Sequence, residues 1–215
     1  MSTYQPFDVL LFDLGGVLID FAGFEEMGPL LSKPLPRTVV RQRWISSESV
    51  RLFERGEMTP RQFAEGSLTE WNLAMPPDAF LDLFTGWARG LYPGAGQLLG
   101  RIRKDYRLAC LSNSNELHTP LHRNAIGPFI ERCFFSNEIG SVKPEAEIFD
   151  HVVRKLAVDA SRVCFFDDTA VNVEAAQQAG LTAFLTDGIV ELEERLDRLG
   201  ILNQAFSPTA RNLST

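Results

Sequence analysis

Apolar residues fall along this chain in two textures. Short, nearly unbroken apolar runs recur at 7–12, 106–111, 132–135, 162–166 and 182–185. A run of four to six such residues without polar alternation marks a strand buried on both faces, as in a parallel sheet. Between the later runs the apolar spacing becomes helical, over roughly 95–104, 144–157 and 170–179. Pro144 suits the first turn of the second of these helices, and Gly180 is a natural stop for the third. Strands alternating with helices predict a parallel sheet covered on both faces, an α/β Rossmann-like core.

Residues 20–90 break the alternation. No convincing strand is present there. Apolar positions instead follow helical spacing: Val39, Val40, Ile45, Val50 and Phe53, then Phe63, Leu68 and Trp71, then Phe80, Leu81, Phe84 and Trp87. Thr59-Pro60-Arg61-Gln62 reads as a helix start, with Thr59 as N-cap, Pro60 at the first position and Gln62 closing a capping box. The expected organisation is therefore a core from residues 1–19 and 91–203, an all-helical insert over 20–90, and a polar, loosely ordered tail at 204–215.

Composition narrows the function classes. The chain has 215 residues, 45% of them apolar and 23% charged, enough for a real core. A net charge of −7 argues against a general nucleic-acid binder, which would show a basic face. No apolar run is long enough to cross a bilayer and the N-terminus has no basic leader, so the expectation is a cytoplasmic protein without a membrane partner. Cys110, Cys133 and Cys164 are too few for a disulfide framework and read as reduced thiols, two of them in buried strands. The oligomeric expectation is a monomer or weak homodimer.

Candidate chemistry sits where the strands end. In an open parallel sheet, ligands bind beyond the carboxyl ends of the strands, where the strand order reverses. Just past successive runs come Asp13, then Ser112 and Asn113, then Lys143, then Asp167 and Asp168. Each alone is an ordinary turn or cap residue. Together they are a carboxylate nucleophile candidate, a hydroxyl, a cation and a carboxylate pair. Three carboxylates at one edge would repel and resist ionisation. A magnesium ion, which takes oxygen ligands and phosphate, would relieve that conflict. Asp13 could then attack phosphorus to give an aspartyl-phosphate, with Ser112 and Lys143 holding the phosphoryl group of a small phosphorylated metabolite.

The same residues resemble four ordered motifs of the haloacid dehalogenase (HAD) superfamily: the segments beginning Phe12-Asp13-Leu14-Gly15-Gly16-Val17-Leu18, Leu111-Ser112-Asn113-Ser114, Val142-Lys143-Pro144-Glu145 and Phe165-Phe166-Asp167-Asp168. Tyr92-Pro93-Gly94 fits the return from the family's helical cap. The resemblance implies Asp13 as nucleophile and metal ligand, the Gly15 carbonyl and Asp168 as further metal ligands, and Asp167 as a supporting one. It also implies Ser112, Asn113 and Lys143 as phosphoryl-binding residues.

One position departs from the pattern. The family's phosphatases usually carry a second Asp two residues after the nucleophile, as general acid and base; here Gly15 stands there. Loss of such a group typically costs on the order of 10²–10⁴ in rate. A subgroup resembling bacterial α-D-glucose-1-phosphate phosphatases shares this Gly, the stretch Leu111-Ser112-Asn113-Ser114-Asn115-Glu116-Leu117-His118, and Phe53-Glu54-Arg55-Gly56-Glu57 in the insert. This makes a sugar phosphate such as glucose 1-phosphate the leading substrate. Two alternatives follow from the same residues: a catalytically weak regulatory or binding protein, because of Gly15, and a carbon–halogen hydrolase, against which the Asp167-Asp168 pair argues. His118 reads as a surface or turn histidine before it reads as a proton shuttle. Trp44, Trp71 and Trp87 read as packing of the insert rather than as sugar-stacking rings. Glu54, Arg55 and Glu57 read as a solvated helix end, with a substrate-facing loop as the sharper alternative. Gly15-Gly16 lacks the spacing of a dinucleotide-binding turn.

Overall fold

The computed structural model describes residues 5–203. The unbroken apolar runs form β1 (Val9–Phe12), β4 (Arg107–Ser112), β5 (Arg132–Phe135), β6 (Val163–Asp167) and β7 (Thr182–Leu185), with β2 (Ile19–Phe21) and β3 (Ala88–Leu91) between the first two. The five pair in parallel in the order β5-β4-β1-β6-β7. Strand β1 is central and wholly buried. Alternate residues feed two cores: Leu10, Phe12, Cys110 and Phe166 on one face, Val9, Leu11, Leu111 and Phe165 on the other. Cys110 and Cys133 are register partners on β4 and β5, and all three cysteines are free thiols.

Helices α1 (Gly23–Leu30), α2 (Arg37–Ile45), α3 (Glu48–Glu54), α4 (Pro60–Trp71) and α5 (Pro77–Gly86) lie between β2 and β3. They enclose a third core dominated by aromatic rings. Phe53 stacks on Phe63 at 4.4 Å, and Phe63 meets Phe84 at 4.8 Å. Trp44, Trp71 and Trp87 are all buried in this cluster. The Thr59 capping box forms at the start of α4, with both of its reciprocal hydrogen bonds.

The remaining helices are α6 (Ala95–Arg101), α7 (His118–Ile126), α8 (Ser136–Ile139), α9 (Ala146–Leu156), α10 (Ala170–Gln178) and α11 (Gly188–Arg198), with a 3-10 turn at Ala160–Arg162. No helix among the described residues is long and apolar enough to cross a membrane.

Four sequence expectations need correction. The 20–90 segment is not free of strand: β2 and β3 form an antiparallel pair at its root. Helix α6 stops at Arg101, because Ile102 leaves it to bridge Leu202. Pro144 is not in the first turn of α9, which begins at Ala146. The Lys143 N–H and carbonyl are both hydrogen-bonded to the Asn113 amide, and this holds the preceding backbone outside the helix. His118 is buried, not at the surface. The expected loose tail at 204–215 lies outside the described residues.

Candidate active site

Strand order places the site. β1 lies between β4 and β6: the chain runs outward through β4 and β5 on one side, then crosses back to β6 and β7 on the other, and this reversal leaves a crevice at the carboxyl end of β1. Asp13 follows β1 directly, Ser112 and Asp167 are the last residues of β4 and β6, and Asp168 follows β6. The turn after β1 requires glycine at position 16. Gly16 has φ +79°, and a Cβ there would sit 2.2 Å from Asp168 Oδ2. Gly16→Ala is expected to lower stability by about 1–2 kcal/mol from the left-handed backbone alone, and to displace the Asp168 carboxylate. Urea denaturation measures the first effect; unchanged stability would refute it.

Lys143 ties the site together. Its side chain is almost fully buried, and Nζ lies 2.9 Å from Asp13 Oδ1 and 2.6 Å from Asp167 Oδ2. It also donates to the Leu111 carbonyl at 3.1 Å. Asp167 is fully buried and saturated: besides Lys143 it accepts from Asn172 Nδ2 and the Thr169 N–H. Asp168 is held by Arg41 of α2, with Nη2 at 2.9 Å from Oδ2, and by the Thr169 hydroxyl at 2.9 Å from Oδ1.

One oxygen each from Asp13, Asp167 and Asp168 lie within 4.8 Å of one another. Burial pushes the Asp13 carboxyl up to about 7; Lys143 pulls it down, while Asp167 and Asp168 push it further up. Burial also raises Asp168, against the pull of Arg41. The Lys143 ammonium is held well above its usual range by the two aspartates, which overcome its desolvation. Three clustered carboxyls that present only oxygen donors suit a hard divalent cation.

Above this edge is a cavity of about 220 Å³ reaching under the helical insert. Asp13, Gly15, Ser112, Asn113, Lys143 and Asp168 all line it, while Asp167 lies behind Lys143 and does not. The Ser112 hydroxyl makes only a long, 3.3 Å contact with the Asn113 carbonyl. Asn113 lines the cavity but engages both ends of its amide with the Lys143 backbone, so it positions the lysine.

The insert contributes Arg37, Arg41, Trp44, Arg51 and Glu54 to the same cavity. Sequence reading missed the arginines, which carry no motif signal. Of Glu54, Arg55 and Glu57, only Glu54 lines the cavity; Arg55 pairs with Glu145 and Glu57 is exposed. His118 stacks on Phe84 and its Nε2 donates to the Phe84 carbonyl at 2.8 Å. Burial lowers it to about 4, so it is neutral at pH 7 and its one ring proton is engaged. His122, which sequence reading did not single out, also lines the cavity and is pushed down to about 3 by burial.

A parallel sheet with an aspartate at its central strand end, a buried lysine beside it, an acidic pair at the end of the next strand and a helical insert overhead defines a class of aspartate-centred hydrolases on a Rossmann-like core. A haloacid dehalogenase-like hydrolase family model matches residues 7–180, and the chain belongs to that family. Acyl-CoA dehydrogenase family member 10 of Mus musculus is 27% identical over 94% of the chain, which spans only 20% of that longer protein. The plasmid-encoded phosphoglycolate phosphatase of Cupriavidus necator is 29% identical, covering 86% of this chain and 83% of its own. Among solved structures, a HAD family enzyme from Bacteroides thetaiotaomicron in complex with magnesium and inorganic phosphate superposes with a TM-score of 0.65. It is 24% identical, over 84% of this chain and 94% of that one, a likeness of fold.

Proposed function

We propose that this hydrolase is a magnesium-dependent phosphomonoesterase that works through an aspartyl-phosphate on Asp13. The observation that carries the reading is the Asp13–Lys143 contact, facing the cavity at the carboxyl end of the central strand and backed by Asp167 from behind. A buried carboxylate with a lysine 2.9 Å away is oriented and charge-balanced for attack on an anionic phosphoryl group. The phosphatase activity named for the Cupriavidus relative, and the magnesium and phosphate in the Bacteroides structure, support the same chemistry.

In this reading an Asp13 carboxylate oxygen bonds to phosphorus as the ester P–O bond breaks. Ser112 donates its hydroxyl to a phosphoryl oxygen, and Lys143 balances charge on the phosphoryl group and the nucleophile. Asn113 keeps Lys143 in register, and Asp167 fixes its ammonium from behind. Water then attacks phosphorus, the bond to Asp13 breaks, and inorganic phosphate leaves. Asp13, the Gly15 carbonyl and Asp168 would hold magnesium, with Asp167 supporting them. When bound, the ion would supply the positive charge that three carboxylates and a phosphate require.

The helical insert acts as a cap over the substrate. A sugar phosphate, such as glucose 1-phosphate, is the substrate class we favour. The cavity combines arginines with aromatic walls from Phe21 and Trp44. The anomeric hydroxyl is also more acidic than an ordinary alcohol, so its oxygen leaves phosphorus more readily, which eases the absence of an acid at Gly15. Phosphate release over a panel of sugar phosphates, with magnesium and with chelator, tests this. Turnover is expected only with magnesium. No release from any ester would overturn the reading.

A further inference from the structure

Gly15 leaves the site without an acid on the strand that carries the nucleophile, but the cap brings one. Glu54 is the last residue of α3, and the turn it begins is seated on the core at three points. Its carbonyl accepts from Ser136 Oγ at 2.6 Å. Arg55, next in the chain, forms an ion pair with Glu145. Gly56 has φ +76° and approaches so closely that a Cβ would lie 2.7 Å from the Asn137 carbonyl oxygen. This docking turns the Glu54 side chain into the cavity lined by Asp13, Ser112 and Lys143.

The other acidic side chains lining that cavity are committed. Asp13 pairs with Lys143, Asp168 with Arg41 and Glu145 with Arg55, whereas Glu54 forms no such ion pair among the described residues. The groups acting on it are Lys143, which favours its ionised form, Asp13, which opposes it, and the Asn113 amide, a hydrogen-bond donor. Burial outweighs them and raises the carboxyl to about 8, so it keeps its proton at neutral pH. An acid poised near the working pH is what proton transfer to a leaving group needs.

Building on the phosphatase reading, we propose that Glu54 is the general acid and base of this enzyme, supplied by the cap in place of the residue missing at Gly15. As the ester P–O bond breaks, Glu54 gives its proton to the departing oxygen, which leaves as an alcohol. The resulting carboxylate takes a proton from the water whose oxygen bonds to phosphorus, as the bond to Asp13 breaks. Phosphate leaves, and both carboxyl groups return to their starting states.

The test compares the full chain with Glu54→Gln, in magnesium, on an alkyl phosphate and on p-nitrophenyl phosphate, whose leaving group needs no proton. On the alkyl ester, kcat should fall on the order of 10²–10⁴-fold with KM little changed. On the nitrophenyl ester the first turnover should persist as a burst, followed by slow hydrolysis of the aspartyl-phosphate. The fall in wild-type kcat as pH rises through about 8 should vanish in the variant. The double variant Gly15→Asp/Glu54→Gln should recover alkyl turnover. Position 15 has room, since a Cβ there meets nothing closer than Phe21 Cβ at 3.7 Å. Unchanged kcat in Glu54→Gln, or an equal loss of the burst and of alkyl turnover, would overturn the proposal. No metal-dependent turnover in the unsubstituted protein would instead overturn the phosphatase reading and Glu54's role with it, a failure visible before any substitution is made.

Discussion

Asp13→Asn is expected to abolish phosphate release, with a loss on the order of 10⁴–10⁶ in kcat, the scale seen when a catalytic nucleophile is removed. The amide keeps the shape of the side chain and can still accept the Leu14 N–H, 2.7 Å from Oδ1 in the native protein, but it cannot displace an alcohol from phosphorus. The same change should leave the fold intact. Asp13 is buried beside Asp167 and Asp168, and removing one of three crowded carboxyls offsets the loss of its contact with Lys143. The pH dependence gives a second readout in chelator. Asp13 is raised to about 7 in the folded chain, well above its ordinary value, so the folded state holds this proton more tightly than the unfolded state. Its contribution to stability is present in acid and is lost as pH rises to 7. Thermal melts of the native chain should therefore lose stability between about pH 4 and 7 more steeply than those of Asp13→Asn. Turnover surviving the substitution would sink the nucleophile; parallel melting curves would sink the account of its ionisation.

Much of this site was legible because it lies at strand ends. An unbroken apolar run such as Val9–Phe12 announces a buried strand, and the polar residue after it is then placed at the sheet edge by topology alone. Asp13, Ser112, Asp167 and Asp168 are all of this kind. Strands β2 and β3 were not legible, since Ile19-Asp20-Phe21 and Ala88-Arg89-Gly90-Leu91 are short and interrupted by charge. Helix α7 was missed because its buried face is His118, Thr119, His122 and Ile126, which carries little apolar periodicity. Helix α11 buries only Leu192 and Leu196 among charged neighbours. The cap's contributions were hidden for another reason. Arg41 meets Asp168 across 127 residues of chain, and the Glu54 turn is held by Ser136 and Glu145, 82 and 90 residues from their partners. Such contacts follow from how one packed unit seats on another, which local pattern does not encode.

Lys143→Met should destabilise the chain by about 3–5 kcal/mol, the cost of leaving buried charge without its partner. Methionine matches the length of the stem and its apolar contact with the Phe165 ring, over which the ammonium sits at 5.5 Å, so packing is nearly conserved and charge is what changes. Asp167 would lose its 2.6 Å contact while fully buried, and Asp13, which lines the cavity, its 2.9 Å contact. Asp13 has an escape: it is already raised to about 7, and without Lys143 it rises further and takes up a proton. Asp167 keeps the Asn172 and Thr169 donors, but no cation. The loss should accordingly be smallest near pH 5, where Asp13 is protonated, and grow toward pH 8 as ionisation forces unpaired charge on the site. Magnesium should raise the melting temperature of Lys143→Met more than that of the native chain, because the variant has lost the ammonium that competes for Asp13 and Asp167, while Arg41 still pairs with Asp168 in both. Melts across pH 5–8, with magnesium and with chelator, check both effects. A variant as stable as the native chain at pH 8 without metal would show that Lys143 does not balance these charges, and would remove the physical basis for its role beside the phosphoryl group.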